Sequence, residues 1–176
     1  MDMTSTFTCG YGYIKWRNVT KEDELSASGD AYTSIDFPLF RTADAYLMAA
    51  EAILRGASGT KSEALGYVNE VRTRAYMSGK YAKNGVRSDV SGEIGANELD
   101  LDFLLLERQK ELASELIRRT DLIRFGKYTK GNNWDWKNGV RLGEDVDDKY
   151  NLFPIPESEL TNNPTLVQND GYKVIK

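Results

Sequence analysis

The stretch "ERQKELASELIRRTDLIRFG", residues 107–126, sets Glu107, Glu111 and Glu115 four residues apart and follows them with Asp121. On a helix, side chains at i and i+4 are neighbours about 5–6 Å apart. Two carboxyl groups at about 5–5.5 Å are the machinery of a retaining glycosidase. Acid catalysis in such a pair needs one carboxyl with a raised pKa, whereas arginines close by lower it. At helical spacing Glu107, Glu111, Ser114, Arg118 and Asp121 share one stripe with Glu115 at its edge, opposite Leu105, Leu112, Ala113, Leu116 and Ile117. Like charges at i, i+4 destabilise a helix by about 0.2–0.5 kcal/mol per pair. Arg118 is the single arginine of that stripe, so further bases must come from elsewhere: Arg72 and Arg74 first, then Arg41. The stripe therefore reads as a structural ion-pair network of Glu107, Glu111, Glu115, Arg118, Asp121, Arg72 and Arg74, with no catalytic residue. On that reading, removing Arg118 from a buried network costs about 3–5 kcal/mol.

A second kind of chemistry lies in "GNNWDWKNG", residues 131–139. Trp134 and Trp136 could stack on a pyranose ring while Asn132, Asn133 and Asp135 bond its hydroxyls. The competing reading is that the two rings cover one patch of core from a hairpin, because strand residues two apart point the same way. Tyr11, Tyr13 and Trp16 are weaker candidates of the same kind.

Other chemistries are excluded by composition. With no histidine among 176 residues there is no Ser-His-Asp triad and no imidazole metal ligand. One cysteine, Cys9, permits neither an internal disulfide nor a multi-thiolate zinc site. No cofactor or metal is expected. The net charge of −4, without a basic block, argues against nucleic acid as a partner. No apolar run reaches the roughly 20 residues that span a bilayer, and "MDMTSTFT" before Cys9 lacks the apolar stretch of a secretory signal.

The elements that must position these residues are mainly helical. Residues 1–36 read as an irregular lead-in, 37–126 as a helical core and 127–176 as a loop and extended tail, together one domain. "PLFRTADAYLMAAEAILRG" predicts a helix with Pro38 in its first turn and Gly56 just after its last. Ala45, Ala49 and Ala52 form a flat stripe on it that suits close helix approach. Thr60 and Glu63 make a capping-box pattern opening a second helix, on which Ala64, Val68, Val71 and Ala75 repeat at helical spacing. The pair forms an αα-hairpin close to the roughly 34-residue tetratricopeptide unit, and such units need about three neighbours to bury a common core. A third helix is predicted from about Glu98 through Arg119, with a short turn to Phe125. Asn138-Gly139 signals a small β-hairpin, and the tail is extended with a helical turn at Pro156–Leu160.

Three blocks in this order resemble the C-terminal half of the SusD/RagB family of outer-membrane nutrient-binding lipoproteins. "FPLFRTADAYLMAAEAILRG" is similar to the family's R-x-A-D/E-x-Y-L-x-x-A-E-A helix through Arg41, Ala43, Asp44, Tyr46, Leu47, Ala50, Glu51 and Ala52. "ALGYVNEVRTRA" continues it through Asn69, Val71, Arg72 and Arg74. The charged stretch is similar to E-R-x-x-E-L-x-x-E-x-x-R-x-x-D-L-I-R-x-G, and "FPIPESELTNNPTLVQNDGY" to the family's closing block. The family's usual Phe-Glu-Gly after "ELA" is Ser114-Glu115-Leu116 here, and its aromatic after the arginine is Arg119. The resemblance implies a mainly α protein of tetratricopeptide-like hairpins packed with long irregular loops and at most a small β-hairpin. It implies a lipid-anchored protein of the Bacteroidetes cell surface that binds glycans or peptides without catalysis. The implied partners are an oligosaccharide or polysaccharide and a SusC-type TonB-dependent transporter. The family's N-terminal half, with its lipid and most repeats, is expected to be missing here. A tetratricopeptide-like adaptor that binds protein and no sugar is the alternative.

Overall fold

The computed structural model describes residues 35–77, 91–131 and 134–173, together with Lys15, Asn18, Val19 and Glu24. The chain divides into two compact units, Met1–Leu39 and Phe40–Lys176. Tyr11, Tyr13 and Trp16 lie outside the described residues. The second unit is helical, and no strand occurs among the described residues.

Helix α1 spans Thr42–Leu54. It starts four residues later than Pro38 suggested. Arg41, at the cap, is extended (φ −137°, ψ 149°) and offers no side-chain cap; its guanidinium is engaged by Glu111 and Glu115 instead. The helix buries Asp44, Leu47, Ala50 and Glu51 on one face. At its other end Gly56 takes φ 100° and donates to the Ile53 carbonyl, while Ala57 donates to that of Ala52. A left-handed residue just past a helix is how the last carbonyls find donors. The alanine stripe faces the other way: Ala45 and Ala52 are exposed. The close approach uses Leu47 and Ala50 instead.

Helix α2, Lys61–Met77, opens on a reciprocal capping box. The Thr60 N–H donates to Glu63 at 2.6 Å, and the Glu63 N–H donates to the Thr60 hydroxyl at 3.2 Å. Ala64, Val68 and Val71 are buried, whereas Ala75 is exposed one turn beyond the core. The α1–α2 hairpin encloses a core of Leu47, Ala50, Ala64, Val68 and Val71, closed by Leu99 and Leu104, with Tyr46 and Tyr67 stacked at 5.6 Å beside it. This is the expected tetratricopeptide-like hairpin. Helix α3 packs on α1.

The single third helix of the sequence reading is two. Helix α3 runs Leu101–Glu111, capped by the Asp100 carboxylate accepting from the Phe103 N–H at 2.7 Å, and α4 runs Arg118–Arg124. Between them Ser114 (φ 61°) and Leu116 (φ 60°) are left-handed, a conformation that costs a non-glycine residue about 1–2 kcal/mol. The apolar spacing continues through the break, which is why the sequence reads as one helix. The position where the family pattern has glycine is the strained Leu116. Leu116→Gly should therefore raise the unfolding free energy by about 1 kcal/mol, read from urea denaturation, because the strain disappears and no buried contact is lost.

Beyond α4 the described residues hold two short 3₁₀ turns, Lys137–Gly139 and Asp148–Asn151, before α5, Glu157–Asn162, the expected turn of helix. Asn138-Gly139 does not close a hairpin. Lys137–Gly139 is a single 3₁₀ turn flanked by left-handed Trp136, and the Gly139 N–H returns to the Trp136 carbonyl at 2.9 Å. The two left-handed residues such a turn needs are present, but no strands follow from it. The tail is held by side chains acting as backbone. Gln168 both accepts from the Ile155 N–H (2.8 Å) and donates to the Ile155 carbonyl (2.9 Å). Asn169 donates to the Phe153 carbonyl and the Tyr172 hydroxyl to that of Leu152, each at 2.8 Å. The "FPIP" and "QNDGY" halves of the last block are thereby one clamp. Arg119 ties it to α4, its guanidinium 4.2 Å from the Phe153 ring centroid and 4.9 Å from that of Tyr128, donating to the Tyr150 carbonyl at 2.8 Å. A cation between two rings fills the place of the family's aromatic.

Candidate functional site

The carboxylates of the charged stretch converge on guanidinium groups from three helices and the α1 cap. Arg72, on α2, donates to Glu107 at 2.5 Å. Arg74 donates to Glu111 at 2.5 Å. Arg41 donates to Glu111 at 2.8 Å and to Glu115 at 2.9 Å. Burial works against the Arg41 charge, but its hydrogen bonds to Glu115 and Glu111 prevail and raise its pKa.

Deeper in, Arg108 is buried between two acids. Its Nε donates to Asp121 at 2.9 Å, and its Nη1 lies 2.8 Å from Asp44 of α1. That second contact is a charge pair without hydrogen-bond alignment, since neither Asp44 Oδ1 nor Arg108 Nη1 finds a hydrogen-bond partner. Arg124 of α4 donates to both oxygens of Glu51, at 2.8 and 2.7 Å, and to Asp121 at 2.9 Å; Arg55 adds a bond to Glu51 at 2.9 Å. Arg118 stands apart. It donates to the Leu105 carbonyl at 2.9 Å and makes no ion pair among the described residues. The break between α3 and α4 rotates it off the stripe on which sequence spacing set it. The buried neutralising role belongs to Arg108, with Arg124 beside it, so the 3–5 kcal/mol expected for Arg118 belongs to Arg108.

Sequence spacing did not place Arg108, Arg124, Asp44 or Glu51 in the ion-pair network. The signal for the two acids was present: they sit seven residues apart in a helix otherwise rich in apolar residues, hence on its buried face.

Glu51 is held away from the raised pKa that a general acid needs. Burial pushes the Glu51 carboxyl up, but hydrogen bonds from Arg124 and Arg55 outweigh it and hold the pKa below its ordinary 4.5. A depressed folded-state pKa contributes stability that is complete above the unfolded value and lost as pH falls through the folded one. Urea midpoints should therefore hold steady from neutral pH down to about 4.5 and drop below it, and the drop should be shallower in Glu51→Gln.

The tryptophan loop is built differently. The Trp134 ring lies 6.0 Å from Tyr128, with the Lys137 ammonium 5.0 Å from its centroid. Lys137 itself is buried, an arrangement unforeseen from sequence, and donates to the Gly131 carbonyl at 2.9 Å. Trp136 sits at φ 64° and is 65% exposed. No strand occurs here among the described residues, so the hairpin on which the two rings would cover one patch does not form. Trp136 thus combines a left-handed backbone, costly for a residue other than glycine, with a ring left in water. Asn132 and Asn133 lie outside the described residues; Asn138, nearby, donates to Glu144 at 2.7 Å.

Comparison with known proteins gives one consistent result. The model of the SusD family matches residues 3–172. The chain is 39% identical to "Starch-binding protein SusD" of Bacteroides thetaiotaomicron over 173 residues, 98% of this chain and 28% of that protein. It is 30% identical over 151 residues to "SusD-like protein P2" of Formosa agariphila, covering 84% of this chain and 28% of the relative. With "SusD-like protein P25" of the same organism it shares 33% over 141 residues, 76% of this chain and 23% of the relative. The chain thus spans about a quarter of the length of these curated relatives.

Proposed function

This chain belongs to the SusD family, and from that premise we propose that it is part of a non-catalytic glycan-capture protein. Its place is the outer membrane at the cell surface, held there by a lipid anchor. Its partner there is a SusC-type TonB-dependent transporter, to which it hands oligosaccharide. The observation that carries the reading is the 39% identity, over 98% of the chain, to a protein named for binding starch. The carboxylates agree with it. Those that sequence spacing offered as a catalytic pair are tied to Arg41, Arg72 and Arg74, so binding rather than hydrolysis is the available chemistry.

Within this reading Trp134 and Trp136 are the stacking surface, and Asn132 and Asn133 bond the sugar hydroxyls. Titration of starch oligosaccharides in a calorimeter should show binding that weakens at least about tenfold, 1.4 kcal/mol, in the Trp134→Ala, Trp136→Ala double variant. Undiminished binding would move the site elsewhere. No binding of any oligosaccharide would favour a tetratricopeptide-like module for protein partners.

A further inference from the structure

The pentapeptide Lys-Asn-Gly-Val-Arg occurs twice in the sequence, at residues 83–87 and 137–141. The first copy lies outside the described residues; the second contains the 3₁₀ turn that follows Trp136. Asparagine before glycine is prone to lose ammonia, because glycine has no side chain to shield its backbone nitrogen. Nothing lies within 4 Å of where a Cβ on Gly139 would stand, and Asn138 and Gly139 are both exposed to water. In the reaction the Gly139 nitrogen gives up its proton and attacks the side-chain carbonyl carbon of Asn138. The new N–C bond closes a five-membered imide, the Cγ–Nδ2 bond breaks, and the proton leaves with ammonia. Water then opens the ring at either carbonyl. The net change is amide plus water to carboxylate plus ammonium, as aspartate or isoaspartate, with nothing oxidised or reduced.

The turn holds both reacting groups. The Gly139 N–H, whose nitrogen must attack, donates to the Trp136 carbonyl at 2.9 Å. The Asn138 Nδ2, which must leave, donates to the Glu144 carboxylate at 2.7 Å. That carboxylate also opposes the negative charge that develops as the imide closes. A further bond, from the Trp136 N–H to the Arg141 carbonyl at 3.2 Å, closes the turn around them. We propose that Asn138 is a deamidation site gated by this turn, reacting only when the turn opens and leaving a product that keeps it from closing again. The second half follows from the donors. A carboxylate at position 138 has no N–H to give Glu144, and the two like charges then face each other. Isoaspartate also routes the main chain through the β-carbon, which moves the Gly139 N–H out of register with the Trp136 carbonyl. Each event therefore loosens, in one direction only, the turn that sets the backbone of Trp136. The proposal does not rest on sugar binding.

The test follows ammonia loss in the whole chain at mildly alkaline pH by peptide mass spectrometry. A protease that cuts outside the pentapeptide keeps the two copies apart. Position 138 should react at least about tenfold more slowly in the folded chain than in urea, as a site that must first open locally. In urea Asn84, with the same neighbours, reports the rate that the pentapeptide has by itself. Glu144→Ala should speed the reaction of the folded chain at least about threefold and leave the rate in urea unchanged. Asn138→Asp makes the product directly. It should speed amide hydrogen exchange at Gly139 at least about threefold without altering exchange in the α1–α2 core, whose protection also verifies that each variant is folded. Equal rates at position 138 in the folded chain and in urea, or an unchanged rate in Glu144→Ala, would overturn the gate. Unchanged exchange at Gly139 in Asn138→Asp would overturn the one-way opening.

Discussion

Arg108→Met is expected to lower the unfolding free energy by about 3–5 kcal/mol in urea titration, the range for stranding one side of a buried ion pair. Arg108 has a side-chain exposure of 2% and Asp121 the same, with Asp44 at 12%. Methionine matches the length of the arginine stem but brings no charge, so Asp121 keeps Arg124 alone and Asp44 loses its counter-ion. The attribution can be checked by its converse. Replacing Asp44, Arg108 and Asp121 together with apolar residues of similar size should recover most of the loss, because nothing buried is then left unneutralised. If the triple variant is as unstable as Arg108→Met, the cost comes from packing and not from charge.

Leu47→Ala should cost about 2–5 kcal/mol by the same measurement. Leu47 is fully buried on α1 in the cluster shared with α2, Leu99 and Leu104, so truncation removes contacts from all of them and leaves a cavity. The exposed Leu142 supplies the control: Leu142→Ala, with its side chain largely in water, should change stability by no more than about 0.5 kcal/mol. Comparable losses at both positions would mean that the α1–α2 hairpin is not the centre of the fold.

Features set by neighbours in sequence were legible before the structure was. The Thr60–Glu63 box forms because donor and acceptor are three residues apart, and the α1–α2 hairpin follows from periodic apolar positions joined by a short glycine-containing link. What depends on distant partners was not. Arg41 meets Glu111 across 70 residues and Arg124 meets Glu51 across 73, and no local rule selects Arg108 over Arg118 for the buried place. The break at Leu112–Ile117 was hidden because its left-handed residues are serine and leucine, not glycine. Asn138-Gly139 misled in the opposite sense, since Asn138 is left-handed as in a hairpin turn but the flanking residues form no ladder. The tryptophans could be picked out by type; that Trp136 stands on strained backbone could not.

The central claim is that the buried acids Asp44, Glu51, Glu107, Glu115 and Asp121 are structural, each neutralised by a guanidinium from another part of the chain. A double-mutant cycle between Arg108 and Asp121, using Arg108→Met, Asp121→Leu and their combination in urea denaturation, addresses it directly. The expected coupling is about 2 kcal/mol or more, because the second substitution relieves the charge that the first leaves stranded. Losses that add to within about 0.3 kcal/mol would contradict it, since residues bonded in one buried network do not behave independently.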